Sequence, residues 1–244
     1  MNIRISDNNS EGAPALFHYP YHSFTSTFNL MQTIANPQIQ HTLNSLHREA
    51  SGQGFTILKG LSKGLFRKLR PEDMKDAYIA ITRQQGEFLY DLLLRQKAQH
   101  IVEFGTSFGI STLYLGAAAQ VNGGQVITTE ILPDKCRIAA ENFEEAGLQD
   151  IIDLREGDAL QTLEDVASGI DFLLLDGWND LYLPLLKLLE PKLKPGALIY
   201  TDNASFASAK PFLQYIQSHP EKYRTERIRD NKGGSELTTY LGAA

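Results

Sequence analysis

The chain has 244 residues, enough for one large α/β domain or two small ones, and its 42% hydrophobic and 21% charged content is that of an ordinary globular protein. Its net charge of −6 argues against a nucleic-acid binder driven by phosphate attraction. One cysteine, Cys136, excludes an intrachain disulfide, and neither a membrane-length apolar run nor a signal-peptide pattern is present, so a cytoplasmic protein without membrane or nucleic-acid partners is expected.

Residues 1–30 open with the polar Asp7, Asn8, Asn9 and Ser10 and continue into an aromatic cluster of Phe17, His18, Tyr19, Tyr21, His22 and Phe24. That cluster either covers a pocket or a neighbouring subunit, or packs onto its own domain. From Pro37 the spacing of Ile39, Leu43, Leu46 and Ala50 predicts a helix, with Asn36 as N-cap and Gly52 and Gly54 ending it. Lys59, Lys63, Arg67, Lys68 and Arg70 form a basic cluster, either a solvated face or a contact for an anionic substrate. A second helical region starts at Pro71 and places Met74, Ala77, Tyr78 and Ile81 at helical spacing. It continues over residues 85–94, with Gly86 as a bend or a break. Together these segments predict an N-terminal helical layer.

Regular alternation follows. Strands are predicted at 101–104, 125–130, 151–155, 170–175 and 197–201, separated by helices at 111–120, 133–146, 159–167, 181–193 and 207–218. The apolar run 170–175 suits a sheet centre buried on both faces. Residues 223–228 and 236–241 are strands joined through Asn231, Lys232, Gly233 and Gly234, which specify a hairpin rather than a crossover. The expected architecture is α/β: a doubly wound sheet with an antiparallel C-terminal hairpin. Residues 1–70 would be an N-terminal extension and 71–244 the main domain.

Ligands of such sheets sit beyond the carboxyl ends of the strands, and here those ends are acidic. The stretch IVEFGTSFGISTLYL, residues 101–115, is a strand, a glycine turn and a helix start, with Glu103 at the strand end. Thr112 stands where the dinucleotide fingerprint needs its third glycine, which weakens a nicotinamide-dependent dehydrogenase. Glu130 follows Gly105 by 25 positions, near the spacing at which a carboxylate reaches ribose hydroxyls. Asp158 faces an adenine or caps the helix after it. Asp176, Asp202 and Asn203 supply hard oxygen ligands for Mg²⁺ or Ca²⁺, or act as caps. An acidic rim of this kind calls for something cationic or rich in hydroxyls.

The segments VEFGTSFGIST, TTE, EGDA, DFLLLDGWNDLYLPLLKLL and LIYTDN, preceded by QQGEFLYDLLL, resemble the motif series of class I S-adenosylmethionine-dependent O-methyltransferases. The cation-dependent catechol and caffeoyl-CoA group is the nearest in pattern. The resemblance spans roughly residues 71–241 and implies a Rossmann-like, seven-stranded sheet with a reversed edge strand. It places Glu103, Gly105, Thr106 and Ser111 around the methionine part of S-adenosylmethionine and Glu130 on the ribose. Asp158 and Ala159 would lie beside the adenine, with Trp178 packed near it; from the residues alone, Trp178 is a core or interface side chain. Asp176, as the catalytic residue, would hold a divalent metal with Asp202 and Asn203. Asn179 departs from the catechol group, in which a lysine three residues after the first metal-binding Asp is the general base; an amide cannot accept a proton at neutral pH. The expected reaction is methyl transfer to a hydroxyl of a small, catechol-like acceptor, in a possible homodimer. Its rivals are transfer to another acceptor class without metal and a non-catalytic cofactor-binding protein.

Overall fold

A computed structural model describes residues 32–52, 73, 81–228 and 234–242. The aromatic cluster of residues 17–24, the basic cluster of 59–70, most of the helical region after Pro71 and the hairpin turn at 231–233 lie outside the described residues.

Helix α1 (Pro37–Ser51) is capped by Asn36, whose side chain accepts from the Gln38 N–H, and closes at Gly52. Its apolar stripe of Ile39, Leu43 and Leu46 is buried. Two polar contacts dock it on the domain: His47 Nε2 lies 3.1 Å from Tyr114 Oη, and Gln38 Nε2 donates to the Glu145 carbonyl at 2.7 Å. Helix α2 (Arg83–Gln96) is a separate helix because Thr82 starts it with a reciprocal capping box to Gln85. It runs unbroken through Gly86. That glycine neither bends nor separates the helix; a Cβ there would lie 2.2 Å from the Tyr114 ring, so its role is close helix packing.

The sheet comprises β1 (His100–Phe104), β2 (Gln125–Glu130), β3 (Ile152–Glu156), β4 (Ile170–Leu175), β5 (Leu193–Thr201), β6 (Tyr223–Ile228) and β7 (Ser235–Tyr240). Its order is β3-β2-β1-β4-β5-β7-β6. The first five are parallel, and β7 pairs antiparallel with both β5 and β6. The expected doubly wound sheet with a reversed strand is therefore present, with β7 inserted between β5 and β6. Connecting helices are α3 (Ile110–Asn122), α4 (Pro133–Glu145), α5 (Ala159–Thr162), α6 (Tyr182–Leu189) and α7 (Lys210–Ser218).

Alternation along the strands splits the core in two. Ile101, Phe172 and Leu174 face α1–α4, whereas Val102, Leu173 and Leu175 face α5–α7. Two elements differ from the periodicity. The helix expected at 159–167 has only the four residues of α5, because side chains take its outgoing carbonyls: Arg155 Nη1 donates to Thr162 O at 2.6 Å and Lys192 Nζ to Glu164 O. Strand β5 begins at Leu193 instead of 197, since the Lys194-Pro195-Gly196 segment is accommodated by a register irregularity against β4.

Candidate active site

The carboxyl ends of β1, β4 and β5 are locked into one surface. Gly105 has φ +107°, and a Cβ there would come within 2.8 Å of the Asp176 backbone and the Gly177 Cα. The Phe104 carbonyl accepts from the Asp176 N–H at 3.0 Å, and Leu175 O accepts from the Asp202 N–H at 3.0 Å. Gly177 has no room for a side chain either, as its Cβ would meet the Phe104 ring at 2.5 Å. Tyr182, fully buried, sends its hydroxyl toward the carbonyls of Asp202 at 3.2 Å and Gly177 at 3.4 Å. Its ring stands edge-on to Phe104 and Phe212. Burial, with Asp176 and Asp202 nearby, pushes its phenol far above the ordinary value, so it remains a donor.

Under the glycine loop lies Glu103, fully buried. Its Oε2 accepts from Thr112 Oγ1 at 2.5 Å and Thr128 Oγ1 at 2.6 Å, whereas Oε1 is buried without a hydrogen-bond partner. Since Thr128 donates to Glu103, the Thr106 hydroxyl 2.5 Å away is the donor to Thr128. Burial drives the Glu103 carboxyl above the usual range. Hydroxyls of Ser111, Thr112 and Thr128 oppose that shift, and the charge of Glu130 adds to it. Ser111, buried at the start of α3, belongs to this cluster.

Glu130 ends β2 and is fixed by backbone amides: Oε2 accepts from Ser107 N at 2.9 Å, Oε1 from Ile131 N at 2.9 Å and Leu132 N at 3.0 Å. Oε1 is thereby saturated, and only Oε2 retains a lone pair. Ser107, at φ +50°, also receives the buried Lys135, whose Nζ is 3.2 Å from Ser107 Oγ and lies over the Phe108 ring. Asp158 is the N-cap of α5, its Oδ1 accepting from Leu160 N at 2.9 Å; Ala159 behind it is buried. The same loop joins β2 through Gly157 N and the Glu130 carbonyl at 2.8 Å. Trp178 is half-buried against the α5–α7 core.

At the other side, Asp202 Oδ1 accepts from Ser235 Oγ at 2.9 Å and Gln85 Nε2 at 3.1 Å, and Oδ2 from Asn203 Nδ2 at 3.0 Å. Asn203 is held at φ +55°. All three donors are neutral. Among the described residues, no three His, Cys, Asp or Glu side chains cluster as a metal centre; the candidate set is two carboxylates and an amide. Asn179 begins the turn Asn179–Leu181, and its Nδ2 is buried without a partner.

Glu103 and Thr106 thus join through Thr128, Glu130 meets the glycine loop, Gly105 meets Asp176, and Asp202 meets Asn203. Gln85, Ser235, Tyr182 and Gly177 escape the sequence reading. Ile131, directly after Glu130, is a half-exposed apolar residue on the same rim.

Comparison with known proteins bears on family and fold. A model of the family described as "O-methyltransferase" matches residues 49–210, more than half of the chain. A catechol O-methyltransferase from Mycobacterium tuberculosis is 30% identical over 156 residues, 58% of this chain and 70% of that protein. A caffeoyl-CoA O-methyltransferase from Eucalyptus globulus is 35% identical over 124 residues, 49% of this chain and 50% of that protein, so the chain spans about half the length of this relative. In fold, the O-methyltransferase from Bacillus cereus in complex with SAH superposes with a TM-score of 0.64 at 20% identity, covering 88% of this chain and 95% of that one. No helix among the described residues is long and apolar enough to cross a membrane. The chain belongs to the S-adenosylmethionine-dependent O-methyltransferase family.

Proposed function

We propose that this enzyme transfers the methyl group of S-adenosylmethionine to a hydroxyl of a small acceptor, catechol-like as the names of its relatives indicate, beside a divalent cation. Glu103 is the observation that carries the reading. It is a buried carboxylate with one bare oxygen at the floor of a glycine loop, and such an oxygen is costly until a donor or cation completes it. Glu103 would meet the ammonium and sulfonium of the cofactor there.

On this reading Glu103, Gly105, Thr106 and Ser111 hold the methionine part, and Glu130 faces the ribose hydroxyls with the one lone pair left on Oε2. Asp158, Ala159 and Trp178 border the adenine, with Ile131 adding apolar surface. Asp176, Asp202 and Asn203 fit a hard cation such as Mg²⁺, because the donors around Asp202 orient its carboxylate without cancelling its charge. When bound, the cofactor supplies a methyl group on an excellent leaving group, and the cation favours the ionised form of a hydroxyl. The chain contributes position: Tyr182 and the two glycines keep donor and acceptor loops in register. Asn179 cannot take the acceptor's proton, so this turn offers a donor and no base.

Calorimetry with S-adenosylhomocysteine tests the first half; binding at about micromolar strength is expected, and its absence would sink the reading. Asp176→Ala should abolish methylation of a simple catechol while leaving that affinity within about twofold, since the change falls on the acceptor side. EDTA should stop turnover and Mg²⁺ restore it. Turnover indifferent to EDTA favours the alternative, transfer without metal.

A further inference from the structure

We propose that Gln85 and Ser235 are positioning residues of the active site, which together fix the Asp202 carboxylate and make the N-terminus of α2 part of the catalytic frame. This rests on reading Asp202 as a ligand of the reaction centre.

A carboxylate at a strand end can rotate unless its oxygens are held. Asp202 Oδ1 is held twice, by Ser235 Oγ at 2.9 Å and Gln85 Nε2 at 3.1 Å, and Nε2 also lies 3.4 Å from Ser235 Oγ. Gln85 cannot swing, because its other end is committed. Its Oε1 accepts from the Thr82 backbone N–H at 2.8 Å and from the Thr82 hydroxyl at 2.9 Å. The Gln85 N–H in turn reaches Thr82 Oγ1 at 3.2 Å. Gln85 is 2% exposed and Ser235 0%, so water does not compete for either.

The identity of residue 85 is informative. A capping box needs only an acceptor at this third helical position, and glutamate serves there as well as glutamine. What glutamine adds is an amide NH₂ at the same tip, and here that group points at Asp202. A glutamate would set a second negative charge about 3 Å from the first, which is unfavourable. A lysine or arginine would hold Asp202 but neutralise it. A neutral amide and a hydroxyl orient the carboxylate and leave its charge for a cationic ligand. That choice belongs to the site, since the helix does not require it.

The test uses Gln85→Glu, which keeps the capping box, and Ser235→Ala, which does not touch it. S-adenosylhomocysteine affinity within about twofold of wild type verifies the fold of each variant. Crystals of both variants with S-adenosylhomocysteine should show the Asp202 carboxylate rotated from its wild-type position. Mn²⁺ titration followed by electron paramagnetic resonance should show affinity lowered about tenfold or more in Ser235→Ala. In Gln85→Glu the introduced carboxylate cannot donate to Asp202, so Mn²⁺ affinity should change in that variant too while the capping box stays intact. Asp202 superposing on the wild type in both variants overturns the proposal. Wild-type enzyme that takes up no Mn²⁺ counts against the cation in the proposed function; the crystallographic position of Asp202 then decides on Gln85 and Ser235 by itself. Should Gln85→Glu fail to fold, Ser235→Ala decides.

Discussion

A carboxyl sealed under a glycine loop has an energetic signature. Burial raises the Glu103 carboxyl in the folded chain above its value in the unfolded one. Its contribution to ligand-free stability is therefore complete below the ordinary carboxylate range, and it is lost as pH climbs through the raised value. Glu103→Gln removes the ionisation while keeping an acceptor for Thr112 and Thr128. The expected outcome is a ligand-free melting temperature that falls less between about pH 4 and 8 than in the wild type. Affinity for S-adenosylhomocysteine should drop at least about tenfold, because a charge-assisted contact becomes a neutral one. Thermal scans across pH and calorimetry measure the two separately. A variant with unaltered affinity would leave Glu103 a structural residue only.

At the scale of elements, packing decides what propensity leaves open. Gly86→Ala gains about 1 kcal/mol of helix propensity. Against this, its Cβ would sit 2.2 Å from a Tyr114 ring that is buried and bonded to His47. Overpacking of that kind costs about 1–3 kcal/mol, so a net loss in urea unfolding is expected; a midpoint at or above wild type would show that the ring yields. The same contrast explains what the sequence makes legible. Gln125–Glu130, Ile170–Leu175 and Tyr223–Ile228 begin and end where the pattern places them, because apolar run, turn and burial agree. The short α5 and long β5 are not legible, since Arg155, Lys192 and a register irregularity act from neighbouring elements. The acidic strand ends are legible as a rim. Their supports are not: Gln85 meets Asp202 across 117 positions, and no local spacing encodes such a contact.

In the whole molecule, the acidic rim and a second partnered carboxylate, Glu190, sit at opposite ends of the sheet. Where the chain enters β5, Glu190 accepts from Lys222 Nζ at 2.8 Å, Tyr215 Oη at 3.1 Å and Tyr223 Oη. Burial alone would raise its carboxyl, but these donors bring it below the ordinary value. Its stabilisation is thus present above the unfolded carboxylate value and lost as pH falls through the lowered one, opposite in sense to Glu103. Together, these two carboxyls alone favour the ordinary carboxylate range, each losing its contribution on a different side of it. Glu190→Gln should lose about 1–3 kcal/mol at neutral pH, with S-adenosylhomocysteine affinity unchanged within about twofold. Urea titration and calorimetry check both; weakened cofactor binding would show that the two ends communicate. Gly105 has a further meaning at this scale. Because the loop after β1 rests on the backbone after β4 with no space for a methyl group, the two loops are a single piece of masonry. Widening one to make room for a side chain also shifts the Asp176 backbone. On the proposed function, donor and acceptor specificity are then coupled through this position, and changes of acceptor are better sought at Asn179 or in the loop after Asn203.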